Sequence, residues 1–346
     1  MYTRDEGRAR ALYTTSFHRG LNLFYPVDAL QDGMISGGMN FVVKRGVVIP
    51  AGGSQEVVTS SEESIDALFY FEQDLILLTP SKAFKFKRGT LTEITPSGGF
   101  EETPSGWTAT VGLDQGTPHL VLNSYGENPL YYWNTTFAAL TKVPNAPLAK
   151  TCLGYRGRLL LGNVYSSSET EWLPYRLQWS AINDLTTWES GTAGFYDFIE
   201  STDEVLAFIS LPEDVLLVLR SESLWVGYPT GDAYDPLSLR LLARIGLATA
   251  RSVQSFGAGG VFLGVDDVYM VTPEGPKAVG APVRDQILSG IEEAVVWSFI
   301  DVKEKLYYLV VDDIAWIYNY EEDAWSRQEM ENITCLGVWY VSLPSP

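Results

Sequence analysis

Histidine and cysteine are almost missing from this sequence of 346 residues, which has two of each. His18 and His119 leave little material for an imidazole metal centre or a Ser-His-Asp triad. Cys152 and Cys335 lie 183 residues apart and make no disulfide framework, so they read as partly buried thiols. No run of 18 apolar residues occurs, and no membrane-spanning helix is expected. The opening residues 1–10 carry arginines with no apolar run after them, so no secretory signal is expected. Without one, the glycosylation patterns Asn134-Thr-Thr136 and Asn332-Ile-Thr334 are not expected to be used. No Gly-x-x-x-x-Gly-Lys-[Ser/Thr] run, no Gly-x-Gly-x-x-Gly after a strand and no Asp-x-Asp-x-Asp-Gly loop is present. Gly257-Ala-Gly-Gly260 reads as a hairpin turn. No cofactor and no metal are expected.

Positive charge is also scarce. Lys and Arg total 24 against 43 Asp and Glu, a net charge of −19. Such a surface repels phosphate and argues against tight nucleic-acid binding. It leaves open a wall that nucleic acid passes without sticking.

What is abundant is apolar and aromatic. A 46% hydrophobic and 13% aromatic composition excludes a disordered chain. A short apolar strand recurs, as Asp74-Leu-Ile-Leu-Leu78, Pro118-His-Leu-Val-Leu122 and Gly157-Arg-Leu-Leu-Leu161. It returns as Asp214-Val-Leu-Leu-Val218, Gly260-Val-Phe-Leu-Gly264 and Lys305-Leu-Tyr-Tyr-Leu309. The starts are spaced by 44, 39, 57, 46 and 45 residues. That period, about 46, is the length of a four-stranded propeller blade.

Each unit repeats one internal order. A first strand precedes the apolar one, as in Ile65–Phe71, Val205–Ser210 and Val295–Ile300. A third strand with an aromatic tip follows, as in Ala83–Lys87, Leu130–Trp133, Ser223–Gly227, Val268–Val271 and Ile314–Tyr318. A more polar fourth closes it, as in Leu91–Thr95, Ala139–Val143, Leu237–Leu242 and Ala324–Gln328. A second strand without polar alternation is what burial on both faces requires. The sequence therefore predicts an all-β, six-bladed β-propeller with an N-terminal extended arm. Residues 1–60 form the arm and extended segment, and residues 61–346 the propeller. A pair of two-sheet sandwiches is the other all-β arrangement, but it needs no such period. The long third unit places an exposed loop at Ser166–Glu171, and one helix is expected at Pro282–Ile291. Ile333–Tyr340 has first-strand character and is expected to pair across the seam with blade one, protecting open edges. Phe41–Ile49 reads as a strand pair around Lys44-Arg45-Gly46. The first 46 residues hold six basic and four acidic side chains, so +2 sits on them and −21 on the rest.

Candidate chemistry is thin. The acidic pairs Glu101-Glu102, Asp266-Asp267, Asp312-Asp313 and Glu321-Glu322-Asp323 all fall at turns. A glycosidase needs two carboxylates facing each other across a pocket, whereas turn acids on a rim usually only meet water. Ser180, Asp184 and Trp188 loosely resemble the Asp-box of sialidases, with the Asp two residues late and the Gly missing. Arg156, Arg158 and Arg176 crowd into the same blade, two of them flanking a turn. The aromatic tips Trp225, Tyr269, Trp316 and Tyr318 are expected to pack between blades. No enzyme is expected. A deep central pocket holding two carboxylates and an arginine would instead mark a glycan-binding or glycan-hydrolysing propeller.

Several runs together resemble a family. Arg19-Gly-Leu-Asn-Leu23, Asp28-Ala-Leu-Gln-Asp-Gly33 and Asn40-Phe-Val-Val-Lys-Arg-Gly46 resemble the start of bacteriophage short-tail nozzle, or tail hub, proteins. Arg176–Trp188 is similar to their "Trp-Ser … Trp" segment, and Ser221-Glu-Ser-Leu-Trp225 to a strand of their fourth blade. Gly246–Val253, Phe262-Leu-Gly and Asp267-Val-Tyr269 resemble their fifth. The likeness runs over about residues 19–330, without the larger insertions such proteins carry. It implies a structural virion protein, assembled in the host cytoplasm, that forms a homohexameric ring below the portal and adaptor. Such a ring extends the DNA ejection channel and seats fibre, spike or needle proteins; DNA passes through without specific binding. A receptor-binding tail protein is the neighbouring alternative. Arg4, Arg8, Arg10 and Arg19 are the expected assembly contacts. Asp266, Asp267, Asp312, Asp313, Glu321, Glu322 and Asp323 are expected to line the channel from one rim.

Overall fold

The computed structural model describes residues 17–51, 63–291, 295–330 and 334–335. Six four-stranded antiparallel units follow one another along the chain, at 67–93, 108–142, 149–197, 205–243, 254–278 and 296–329, five as separate sheets and the last within a larger one. These are the six expected blades of a β-propeller. The apolar run is the second strand of every one. In blade four that strand, Val215–Arg220, is buried at all six positions, because sheets cover it on both faces. First strands of successive blades, from two to six, approach one another around the axis. Ser166–Glu171 is the exposed tip of a long hairpin whose strands, Arg158–Ser166 and Glu171–Trp179, have nine residues each. The helix is shorter than expected, Arg284–Ser289.

Apolar clusters weld the blades pairwise. Tyr131 and Trp133 of blade two pack with Ile76 and Leu78 of blade one. Leu159 and Leu161 of blade three pack with Val121 of blade two. Trp225 joins blades three and four, Tyr269 joins four and five, and Trp316 and Tyr318 join five and six. The four aromatic tips therefore pack between blades, as their strand positions predict. Among the described residues no such cluster joins blade six to blade one. The face of blade six at that seam (Leu306, Val310, Ala315, Ile317) is covered by Val42, Ile49 and Ala51, while Leu77, Phe84 and Phe86 form a separate cluster in blade one.

The arm is thus no free extension over 17–51. Gly20–Leu21 runs parallel to the outer strand of blade six, with Gly20 opposite Trp325, and Met34–Ile35 runs parallel to Gly20–Leu21. Blade six becomes a six-stranded sheet. The expected hairpin is present as Phe41–Lys44 and Val47–Pro50. The expected strand at 333–340 lies outside the described residues except for Thr334 and Cys335. Thr334 Oγ1 donates to the Ile65 carbonyl at the start of blade one, at 2.5 Å.

A buried ion pair pins blade four. Arg220 and Asp203, 0% and 2% exposed, meet at 2.8 Å. Burial works against the Asp203 charge, but the Ser201 and Ser223 hydroxyls and the Arg220 guanidinium outweigh it and hold the carboxyl below its ordinary range. A lowered carboxyl stabilises the fold above its unfolded range, and that contribution is lost as pH falls through the folded value. Asp203→Asn should cost about 3 kcal/mol at neutral pH, read by urea unfolding, and should flatten the acid limb of the stability profile. An unchanged acid limb would count against this assignment.

Candidate functional site

Two places combine position with chemistry: the clasp on blade six and a cavity on the axis. The clasp is set by close approach and by charge. Gly20 has φ +64°, and a Cβ there would lie 2.4 Å from the Trp325 carbonyl oxygen, so no side chain fits. Asn22, buried, accepts from the N–H groups of Phe24 and Tyr25 at 3.1 Å each, which fixes the turn and leaves both rings exposed. Asn40 Oδ1 accepts from Glu329 N–H at 2.9 Å on the last strand of blade six. At the hairpin tip the Glu322 carboxylate receives the Arg45 N–H and, at 3.0 Å, the Gly46 N–H. Lys44 Nζ meets Glu304 at 2.7 Å. Burial of Leu21, Phe41, Val42 and Val43 adds about 2 kcal/mol for each large apolar side chain.

The cavity has a volume of about 1050 Å³ and draws its walls from blades one, two, five and six. Arg251 crosses it. Its backbone sits in the short 3-10 turn Ala250–Ser252 before blade five, where the Ser298 hydroxyl of blade six donates to its carbonyl at 2.7 Å. Its guanidinium lies 5.4 Å from the Tyr125 ring and donates to the Ser105 carbonyl of the segment entering blade two. Gly106 makes room, since a Cβ there would lie 2.7 Å from Arg251 Nη2. Asp66, Asp312 and Asp313 share the lining. Burial raises the Asp66 carboxyl, while the Ser64 hydroxyl and Arg251 pull it the other way. Cys335 is also in the wall, and burial pushes its thiol up to about 12, so it is no nucleophile at neutral pH.

The expected site residues disperse. Arg4, Arg8 and Arg10 lie outside the described residues, and Arg19 is exposed at the start of the clasp, its N–H on the Gly33 carbonyl at 3.0 Å. The seven acidic residues do not share one rim. Asp266-Asp267 and Asp312-Asp313 join second to third strands, whereas Glu321–Asp323 joins third to fourth, at the other end of the blade. Of the seven, Asp312 and Asp313 line the cavity. Asp267 is buried and accepts from Val268 and Gly280 N–H at 2.7 and 2.8 Å, and Asp266 accepts from the Tyr269 hydroxyl at 2.9 Å. Asp323 accepts from the Tyr318 hydroxyl and pairs with Lys277, both at 2.8 Å. Glu322 holds the clasp, and Glu321 is exposed.

Nor do the blade-three arginines converge. Arg156 meets Asp214 at 3.2 Å, Arg158 is buried on the Ser180 and Thr192 carbonyls, and Arg176 grips Asp197 at 2.7 and 2.8 Å. The Asp-box-like residues are structural as well. Asp184 accepts from Thr186 and Thr187 N–H, Ser180 accepts from Leu159 N–H, and Trp188 donates to the Leu185 carbonyl. Asn134 is buried against His119 at 2.9 Å. Among the described residues no three His, Cys, Asp or Glu side chains gather as a metal site. Sequence reading missed Arg251 and Asp66. Arg251 lies inside the Gly246–Val253 run that carries the family likeness, in a connection leading to a first strand, and that position was the available signal.

No family model matches the chain, and no curated protein matches it. Solved structures do. The extracellular domain of a putative hybrid two-component system from B. thetaiotaomicron is 10% identical, with a TM-score of 0.54 over 80% of this chain and 35% of that one. Virginiamycin B lyase from Staphylococcus aureus is 8% identical, with a TM-score of 0.50 over 79% and 87%. PorZ of the type-IX secretion system of Porphyromonas gingivalis is 13% identical, with a TM-score of 0.47 over 79% and 35%. The chain thus spans about a third of PorZ and of the two-component system domain. At such identities the first two likenesses show the propeller fold and nothing of activity.

Two outcomes follow from this geometry. Gly20→Ala should destabilise the protein by about 1–3 kcal/mol, read as a lower urea midpoint, because it both strains φ and drives strands apart. Arg251→Ala removes the positive charge beside Asp66, so the Asp66 carboxyl should titrate at still higher pH. Carboxyl NMR through an acid titration would report it, and a downward movement would overturn the assigned pairing.

Proposed function

We propose that the chain is a structural subunit of a phage tail, a nozzle or hub that builds a homohexameric ring below the portal and adaptor. The ring extends the ejection channel and seats fibre, spike or needle proteins. What supports the reading is a coincidence of residues. Of the runs that resemble nozzle proteins, Arg19–Leu23 and Asn40–Gly46 clip the amino-terminal segment to blade six, and Asp28–Gly33 folds back on the first of them through the Gly33 carbonyl. Gly20, Gly33, Asn40, Arg45 and Gly46 each make a contact in that clasp. The segment joins the disc at the outer strand of blade six, and Arg4, Arg8 and Arg10, which precede it in sequence, are assigned as the contacts to a neighbour. The charge of −19 suits a lumen that repels phosphate, so that DNA slides. The acidic groups free to do this lie at both ends of the blades rather than on one rim.

The test is assembly. Purified protein, alone or mixed with portal and adaptor proteins, should give six-fold rings in electron microscopy. Removing residues 1–16 should weaken the ring while leaving thermal unfolding unchanged. A monomer under both conditions, or rings indifferent to the truncation, would sink the proposal or its contact assignment respectively.

A further inference from the structure

The axial cavity has chemistry that a ring scaffold does not require. Aromatic residues line it from two blades: Tyr70 from one, Trp297 and Phe299 from six. Polar groups stand among them, with Asp66, Gln254, Ser298 and Arg251 offering acceptors and donors within one space. Gln254 is held in place by hydrogen bonds to the Ser298 carbonyl and hydroxyl, both at 3.1 Å.

We propose that the cavity binds a short oligosaccharide of neutral or amino sugars. Flat apolar faces beside paired donors and acceptors match the alternating C–H and hydroxyl surfaces of a pyranose. The volume is that of a pocket for a ligand of two or three rings. Charge decides the kind of sugar. Three carboxylates, Asp66, Asp312 and Asp313, stand against one guanidinium already committed to the Ser105 carbonyl. The balance is negative, so acidic sugars and phosphorylated ligands are repelled and an amino group is welcome. Arg251 acts as a positioning residue: it spans blades five and two, keeps the walls apart, and holds Asp66 toward its charged form.

Calorimetric titration of the full chain tests this with four probes: maltotriose, N-acetylglucosamine trimer, glucosamine trimer and sialyllactose. At least one of the first three should bind with a dissociation constant of about 1 mM or tighter, and sialyllactose at least about tenfold more weakly. Asp66→Asn, which keeps the shape, should weaken binding by about tenfold or more. Trp297→Ala should abolish binding in protein shown by circular dichroism to be folded. Tyr234→Ala, on an exposed turn of blade four, should change nothing. The proposal falls if none of the three sugars binds at about 10 mM, if sialyllactose binds best, or if Asp66→Asn binds as the parent does. It also falls if an Arg-Lys-rich peptide occupies the cavity while no sugar does.

Discussion

A blade of this protein is apolar on both faces, and everything else follows from covering them. A free two-faced sheet would leave Val215–Arg220 and its equivalents in water. Six such sheets solve the problem by covering each other in a circle. Five junctions are closed by clusters that mix side chains of neighbouring blades. The sixth has a different solution among the described residues, because the hairpin at 41–50 lays Val42 and Ile49 on the face of blade six. A ring closed unevenly has an uneven centre. First strands crowd between blades two and four, and the free space gathers against blades five, six, one and two.

Acidic residues serve this architecture more than their number suggests. Many sit where the chain reverses, and there they take N–H groups that no strand partner satisfies. Asp184 does this for Thr186 and Thr187, Asp267 for Val268 and Gly280, and Glu322 for Arg45 and Gly46. The last of these also draws a basic turn onto an acidic blade. Buried charge is met in two ways, by an opposite charge in Arg220 with Asp203 and by backbone carbonyls at Arg158. The net charge is therefore partly a by-product of turn chemistry, and only the remainder is left for a surface role.

Legibility in the sequence followed the range of the interaction. Strand order within a blade was readable because apolar runs and turns are local. The second strands stood out since burial on both faces removes polar alternation. The clasp residues were visible as a pattern, but not their purpose, because Gly20 meets Trp325 across some 300 residues. The acidic turns were misread as one rim because adjacency in sequence hides which end of a blade a turn occupies. The roles of Arg251 and Asp66 were hidden for the same reason. Nothing local tells that a residue before blade five reaches the entrance to blade two. Arg156, Arg158 and Arg176 show the converse, being close in sequence yet each spent on a different partner.

The parallel pairing of Gly20–Leu21 with the last blade has a consequence for synthesis. Gly20–Leu21 leaves the ribosome well before the sheet that holds it. At about 5–20 residues per second, some 300 residues separate the two by roughly 15–60 s. For that interval the early strand has only Met34–Ile35 beside it, while a nearby copy whose sixth sheet is complete but not yet joined by its own early strand offers an identical edge. Local concentration on a polysome then decides whether the strand waits for its own sixth sheet or enters another's. An exchange of that kind links copies at little energetic cost, since the contacts are the same in either case.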